Sequence, residues 1–124
     1  MKIEPTKSEL EILQVLWEKG PSTVREVNDF LNDQTREVQY ASTLKLMQIM
    51  VEKQMLSRDE TSMKHVYRAI LEEEKTKEDL LNKFVDSMYK GSASSLMLQL
   101  LGNKKTDEKE LQAIKEILKK LDNE

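Results

Sequence analysis

The chain has 124 residues, no cysteine and a formal net charge of −3, with charged residues at 35% and aromatics at 5%. That length holds one ordinary domain or two small ones with a real core, and the scarcity of Gly and Pro favours a mainly α fold over a sandwich or barrel. The missing cysteines exclude disulfides, thiolate metal sites and a cysteine nucleophile, while the mild acidity argues against a nonspecific nucleic-acid coat but not against a sequence reader.

The opening run Met1 to Leu10 has no apolar stretch, so neither a signal peptide nor membrane insertion is expected, and the chain reads as cytoplasmic. Thr6 and Glu9 have the spacing of a capping box, in which the hydroxyl takes one orphan backbone N–H and the carboxylate reaches back to the cap. A first helix begins there. Leu10, Leu13, Leu16 and Trp17, joined by Ile12, form its apolar stripe, and Trp17 on such a stripe reads as core rather than as a ligand-stacking group. Lys19-Gly20-Pro21 then gives a basic last turn, a residue free to go left-handed and a residue that cannot continue the helix. Ser22 or Thr23 caps a second helix, with Glu26 placed for a capping box from Thr23 and with Val24, Val27, Phe30 and Leu31 on the buried face. Asn32 to Val38 is polar and unpatterned, and reads as the connection onward.

Gln39 to Lys53 predicts a third helix with two unlike faces. Thr43, Leu46, Met47 and Met50 recur at helical spacing, flanked by Tyr40, Leu44 and Val51, whereas Ala41, Ser42, Lys45, Gln48 and Glu52 fall on the other side. An outer face that is small, hydroxylated, amide-bearing and singly basic suits close approach to a hydrogen-bonding surface. Between Arg36 and Arg68 six basic residues outnumber four acidic ones, so positive charge gathers around this helix.

Leu56 to Glu60 and His65 to Ile70 read as the strands of a hairpin with Thr61-Ser62-Met63-Lys64 at its tip. In the second strand Val66, Arg68 and Ile70 alternate with His65, Tyr67 and Ala69. Three helices followed by a hairpin is the order of a winged helix, whose third helix enters the major groove while the hairpin reaches the backbone beside it. In that frame the candidate DNA contacts are Gln39, Tyr40, Ala41, Ser42 and Thr43 at the start of the third helix, Lys45 and Gln48 along it, and Arg58, Lys64 and Arg68 on the wing. Gln48 has the groups to pair bidentately with adenine, Lys45 to reach guanine or phosphate, and Ser42 with Thr43 to meet phosphate. Ile49 either touches a thymine methyl or packs on the hairpin. The alternative for Ser42, Lys45 and Gln48 is a solvated helix face, and for Arg58 and Arg68 it is pairing with Asp59 or Glu60.

From Glu72 onward the pattern is helical, and Glu72-Glu73-Glu74 marks a boundary between a DNA-binding domain over residues 1–71 and a dimerisation domain over 72–124. Thr76 with Asp79 caps a helix whose stripe is Leu80, Leu81, Phe84, Val85 and Met88, closing at Lys90-Gly91. Ser92 to Leu101 carries Leu96, Met97, Leu98, Leu100 and Leu101 and closes at Gly102. A last helix from about Thr106 presents Leu111, Ile114, Ile117, Leu118 and Leu121. A segment of about fifty residues cannot bury so many apolar side chains by itself, so a second copy is expected to cover them.

No catalytic constellation is visible. His65 is the only histidine, which leaves no partner for a histidine relay or metal cluster, and Glu72 to Glu74 reads as a solvated linker or helix start rather than paired catalytic carboxylates. Gly20, Gly91 and Gly102 are too widely spaced for a phosphate-binding loop. Neither enzymatic activity nor a cofactor or metal is expected.

With these residues laid out, the chain resembles the penicillinase-repressor (BlaI/MecI) family of bacterial winged-helix regulators over almost its whole length. The resemblance is carried by Glu9 to Gly20, Pro21 to Val27, Tyr40 to Leu56, His65 to Arg68, and the run from Lys90 through Leu101. It implies a homodimer that represses transcription from a roughly palindromic operator in double-stranded DNA. It also implies inactivation by proteolysis in the C-terminal helices, triggered by a membrane metalloprotease-type sensor, with Gln99 and Leu100 in the expected cleavage region. The chain departs from many members in having Leu44 and Ile49 where basic residues are common, which leaves Lys45 as the only cation of the reading helix, and Gln54 where a Gly commonly ends it. That shortage and the mild acidity motivate a rival reading, a winged-helix protein-interaction module without specific DNA binding.

Overall fold

The computed structural model describes residues 4–102 together with 108–110, 112, 113 and 116. The elements in chain order are α1 (Lys7–Lys19), α2 (Val24–Gln34), α3 (Tyr40–Glu52), β1 (Leu56–Asp59), β2 (Val66–Ala69), α4 (Glu73–Tyr89) and α5 (Ala93–Gly102). They fall into two compact units, Met1–Glu78 and Asp79–Glu124, with the division inside α4 rather than before it. The fold is mainly α: three helices, a two-stranded antiparallel wing, and then further helix.

The first two helices start where their hydroxyl residues stand. Thr6 Oγ1 accepts the Glu9 N–H at 3.2 Å while Glu9 accepts the Thr6 N–H at 2.8 Å, and Thr23 with Glu26 repeats the arrangement at 3.2 and 2.9 Å. At the end of α1, Gly20 has φ +82°, a conformation that costs other residues, and its N–H still reaches Leu16 O at 2.8 Å. The chain leaves α3 through Gln54 at φ +65°, so the position where a Gly was expected does take the left-handed turn, with an amide side chain in its place.

One core serves the first unit. It gathers Ile12, Leu13, Val15 and Leu16 of α1, Val24, Val27 and Leu31 of α2, Met47 and Met50 of α3, Met55 and Leu56 at the start of the wing, and Tyr67 of β2. The buried face of α1 is rotated from the predicted stripe, with Glu9 and Val15 inside and Leu10 only half-buried. Two polar anchors account for this. Trp17 is half-buried and donates its indole N–H to Leu71 O at 2.9 Å, and Glu9, 1% exposed, accepts from Lys53 Nζ at 2.9 Å.

The Glu9–Lys53 pair ties the start of α1 to the end of α3. Burial pushes the Glu9 carboxyl up, but the Thr6 N–H and the Lys53 ammonium outweigh it and hold the group below the usual carboxylate range. A depressed value in the folded state means stability that is complete above the unfolded value, near pH 4.5, and is lost as the pH falls through the folded one. Glu9→Gln is therefore expected to cost about 1 kcal/mol at neutral pH, because a charged bond becomes a neutral one. The substitution should also flatten the acid side of a melting-temperature profile, and an unchanged profile would contradict the assignment.

The wing pairs Leu56 with Ala69 through to Asp59 with Val66. Its second strand has another neighbour that the sequence pattern does not reveal. Ser22 and Tyr67 exchange both backbone bonds, Ser22 N to Tyr67 O at 2.9 Å and Tyr67 N to Ser22 O at 2.8 Å, so the α1–α2 connection supplies a one-residue third strand. Burial of Tyr67 follows, since its ring lies on the core face while Arg68 points outward.

α4 begins at Glu73, not after a Thr76 cap. Thr76 is buried within the helix and its N–H reaches Glu72 O at 3.0 Å. The acidic run is the first turn itself, because carboxylates are favoured at the positive end of a helix and Glu73 also pairs with Lys77 one turn on, at 2.6 Å. The helix closes as expected, with Lys90 and Gly91 both at positive φ and Gly91 N–H on Val85 O at 3.1 Å. Ser92 then caps α5 by accepting the Ser95 N–H at 3.1 Å. Residues 108–110, 112, 113 and 116 are helical, whereas Leu111, Ile114, Ile117, Leu118 and Leu121 of the expected last stripe lie outside the described residues.

Candidate DNA-binding surface

The position of α3 is set from its inner face. Thr43 Oγ1 donates to Asn28 Oδ1 at 2.7 Å, with both residues buried, and Met47 and Met50 are fully enclosed beside them. Thr43 is therefore withdrawn from the predicted DNA contacts: at 1% exposed it locks α3 to α2 and is closed to a ligand. Thr43→Val keeps the shape but leaves the Asn28 carbonyl without its donor, at an expected cost of about 1–3 kcal/mol. Urea unfolding measures this, and an unchanged midpoint would contradict it.

The polar stretch before α3 is also organised. The Asn32 side chain donates to Asn28 O at 2.7 Å and Val38 O at 2.9 Å and accepts the Val38 N–H at 3.0 Å, closing the turn that delivers Gln39 to the helix start. Arg36 pairs with Glu11 at 3.1 Å, so this cation braces the turn against α1.

The opposite face of α3 is open. Gln39, Ala41, Ser42, Lys45 and Gln48 are exposed, Tyr40 is 39% exposed, and Leu44 and Ile49 are half-buried, with Leu44 packed on the core. No side chain caps this helix, in contrast to α1 and α2. Among the described residues no ion pair engages Lys45.

On the wing the predicted cations divide. Arg58 is held within the protein, on the Tyr67 hydroxyl and on Glu60 at 2.6 Å, and these partners raise its pKa further above its already high ordinary value. This is the pairing alternative, formed in the chain without DNA. Arg68 is exposed opposite Ser57 and close to Asp59, whose carboxyl is lowered first by the Thr61 N–H and only weakly by Arg68. Lys64 is exposed at the tip, beside a fully exposed Met63, and its carbonyl accepts the Ser62 hydroxyl at 2.6 Å.

Between α3 and the wing lies a groove of about 650 Å³ whose walls include Arg25, Tyr40, Leu44, Met63, Lys64 and His65. Arg25 is absent from the sequence-based candidates. It sits in the first turn of α2, and its guanidinium lies 4.6 Å from the centre of the Tyr40 ring. The available signal was its place inside the Thr23 to Glu26 capping box, which directs attention to the cap rather than to the residue between.

In the second unit, apolar side chains stand in the open. Leu81, Phe84 and Met88 of α4 and Met97, Leu98, Leu100 and Leu101 of α5 are all exposed, with Met88 at 65% and Leu98 at 71%, and no residue of α5 is buried. Leu80 and Leu96 are half-buried, and Val85 at 8% is already covered within its own chain. Gln99 is exposed beside Leu100.

The family model described as the penicillinase repressor matches residues 5–120. The chain belongs to the penicillinase-repressor family. Membership places it among DNA-binding transcriptional repressors of winged-helix type. None of the curated proteins gives a significant match to the chain.

The open face of α3 carries polar groups of the kinds that can hydrogen-bond to base edges and phosphate. Gln48 offers a donor and an acceptor side by side, Lys45 a mobile cation, and Ser42 with Ala41 a low surface that permits close approach. Among the described residues no helix is long and apolar enough to cross a membrane.

Proposed function

We propose that the chain is a sequence-specific repressor that binds a palindromic operator as a homodimer in the cytoplasm, with α3 in the major groove. The observation that carries this reading is the division of α3. Its inner face is fixed by the buried Thr43–Asn28 bond, while Ser42, Lys45 and Gln48 stand outward, with no ion pair on Lys45 among the described residues. A helix that is locked in orientation and open along its polar face suits recognition of base edges, because base contacts select only when their geometry is fixed. Lys64 and Arg68 on the wing supply backbone contacts, and Tyr40 lies at the helix start to join them.

The exposed Leu81, Phe84, Met88, Met97, Leu98, Leu100 and Leu101 support assembly of two copies through residues 72–124, since an apolar set of this kind favours burial against a partner. Family resemblance supports an end to repression by proteolysis around Gln99 and Leu100, through a membrane metalloprotease-type sensor. Both residues are exposed on α5, although the helix must open locally to enter a protease.

A mobility-shift titration against DNA from upstream of its own gene tests the reading. Operator binding is expected to exceed binding to scrambled DNA and to weaken with salt at a log–log slope near −0.9 per neutralised phosphate. Absence of any shift at low salt would favour a protein-interaction module instead.

A further inference from the structure

We infer that Arg25 is a phosphate-contacting residue presented on the face of Tyr40, and that the groove between α2, α3 and the wing seats one strand of the DNA sugar–phosphate backbone. The inference rests on the DNA-binding reading above and adds to it a residue and a seat. Its basis is a convergence of three elements. Arg25 comes from α2, Tyr40 and Leu44 from α3, and Met63, Lys64 and His65 from the wing, all lining one groove.

Arg25 is exposed, no ion pair engages it among the described residues, and its guanidinium lies 4.6 Å from the Tyr40 ring centre. Stacking holds the planar group by its face and leaves its N–H edge free, the edge that meets a phosphate through two parallel bonds. The stack also limits the rotamer freedom that a free arginine loses on binding. The acid of the same groove, Glu26, is engaged in its cap, accepting the Thr23 N–H at 2.9 Å. Lys64 gives a second cation on the wing side, and Leu44 with Met63 offers apolar contact for deoxyribose. In helix-turn-helix proteins the helix before the reading helix crosses the backbone rather than entering the groove, so Arg25 is placed for phosphate and not for a base. The seat also answers the shortage of cations on α3, where Lys45 stands alone.

The test uses the full-length chain with operator and unrelated duplexes over a range of salt. Arg25→Ala is expected to weaken both duplexes alike, by about eight-fold at 0.1 M salt for each copy of the chain on the DNA, and to make the log–log slope shallower by about 0.9 per copy, the signature of one phosphate neutralisation lost in each half-site. Arg25→Lys keeps the charge and should retain the slope while losing part of the affinity. Tyr40→Leu should weaken binding about two- to five-fold relative to Tyr40→Phe, which keeps the ring, and that difference should vanish in the Arg25→Ala background. Two results would overturn the inference alone: an unchanged slope and affinity in Arg25→Ala while the wild type prefers its operator, or a loss confined to the operator, which would make Arg25 a base reader. A wild-type protein that binds no DNA would overturn the DNA-binding reading and this inference together.

Discussion

Removal of residues 79–124 is expected to leave a monomer whose operator affinity is lower by about a hundred- to ten-thousand-fold. Each copy alone holds one half-site. Once two copies are joined, the second half-site is bound from within the complex, and that effective concentration rather than any new contact supplies the difference. The cut after Glu78 respects the compact first unit and keeps buried Thr76 and the Trp17–Leu71 bond in place. Leu98→Glu in the full chain asks the same question without a deletion. Leu98 is 71% exposed, so a charge there is harmless to a lone copy but must be desolvated in an apolar interface. Sedimentation measures both variants, and a truncated protein that still sediments as a dimer would move the interface into the first unit.

The double substitution Lys45→Ala with Gln48→Ala is expected to weaken operator binding by about 1–3 kcal/mol for each good base pairing lost, in each half-site. Neither residue is buried, so folding should be unaffected and the loss should read as recognition. Binding to unrelated DNA should fall much less, by no more than the phosphate share of Lys45. Equal operator affinity in the double variant would show that α3 does not read the site through these residues.

The elements were legible because their signals are local. Thr6-to-Glu9 and Thr23-to-Glu26 spacings name two helix starts, Gly20 and Gly91 mark two ends, and the alternation through Tyr67 marks a strand. What stayed hidden depends on residues distant in the chain. Burial of Glu9 requires Lys53 to arrive 44 residues later, and the Ser22–Tyr67 bridge is a single residue long, so neither leaves a periodic trace. The start of α4 is not fixed by its sequence because an acidic run serves equally as linker or first turn, and the Glu73–Lys77 pair with the macrodipole decides for the turn. At the candidate DNA surface, the open face of α3 followed from its pattern. The inward side of Thr43 followed from it too, but not its role, since a hydroxyl at the edge of an apolar stripe serves a ligand or a buried Asn equally well until Asn28 is seen opposite it. The partners of Arg58 and Arg25 are hidden for a similar reason: only the folded chain brings Tyr67 across the strands to Arg58 and the Tyr40 ring across the helices to Arg25.

The most direct test of the central claim is a hydroxyl-radical footprint of the full-length protein on its own upstream DNA. Two symmetric protected half-sites are expected, with centres one helical turn apart, ~34 Å, or a whole multiple of it, and with protection lost in the Lys45→Ala/Gln48→Ala variant. Uniform weak protection without half-sites, or a footprint unchanged by that double substitution, would contradict a dimeric repressor that reads its operator through α3.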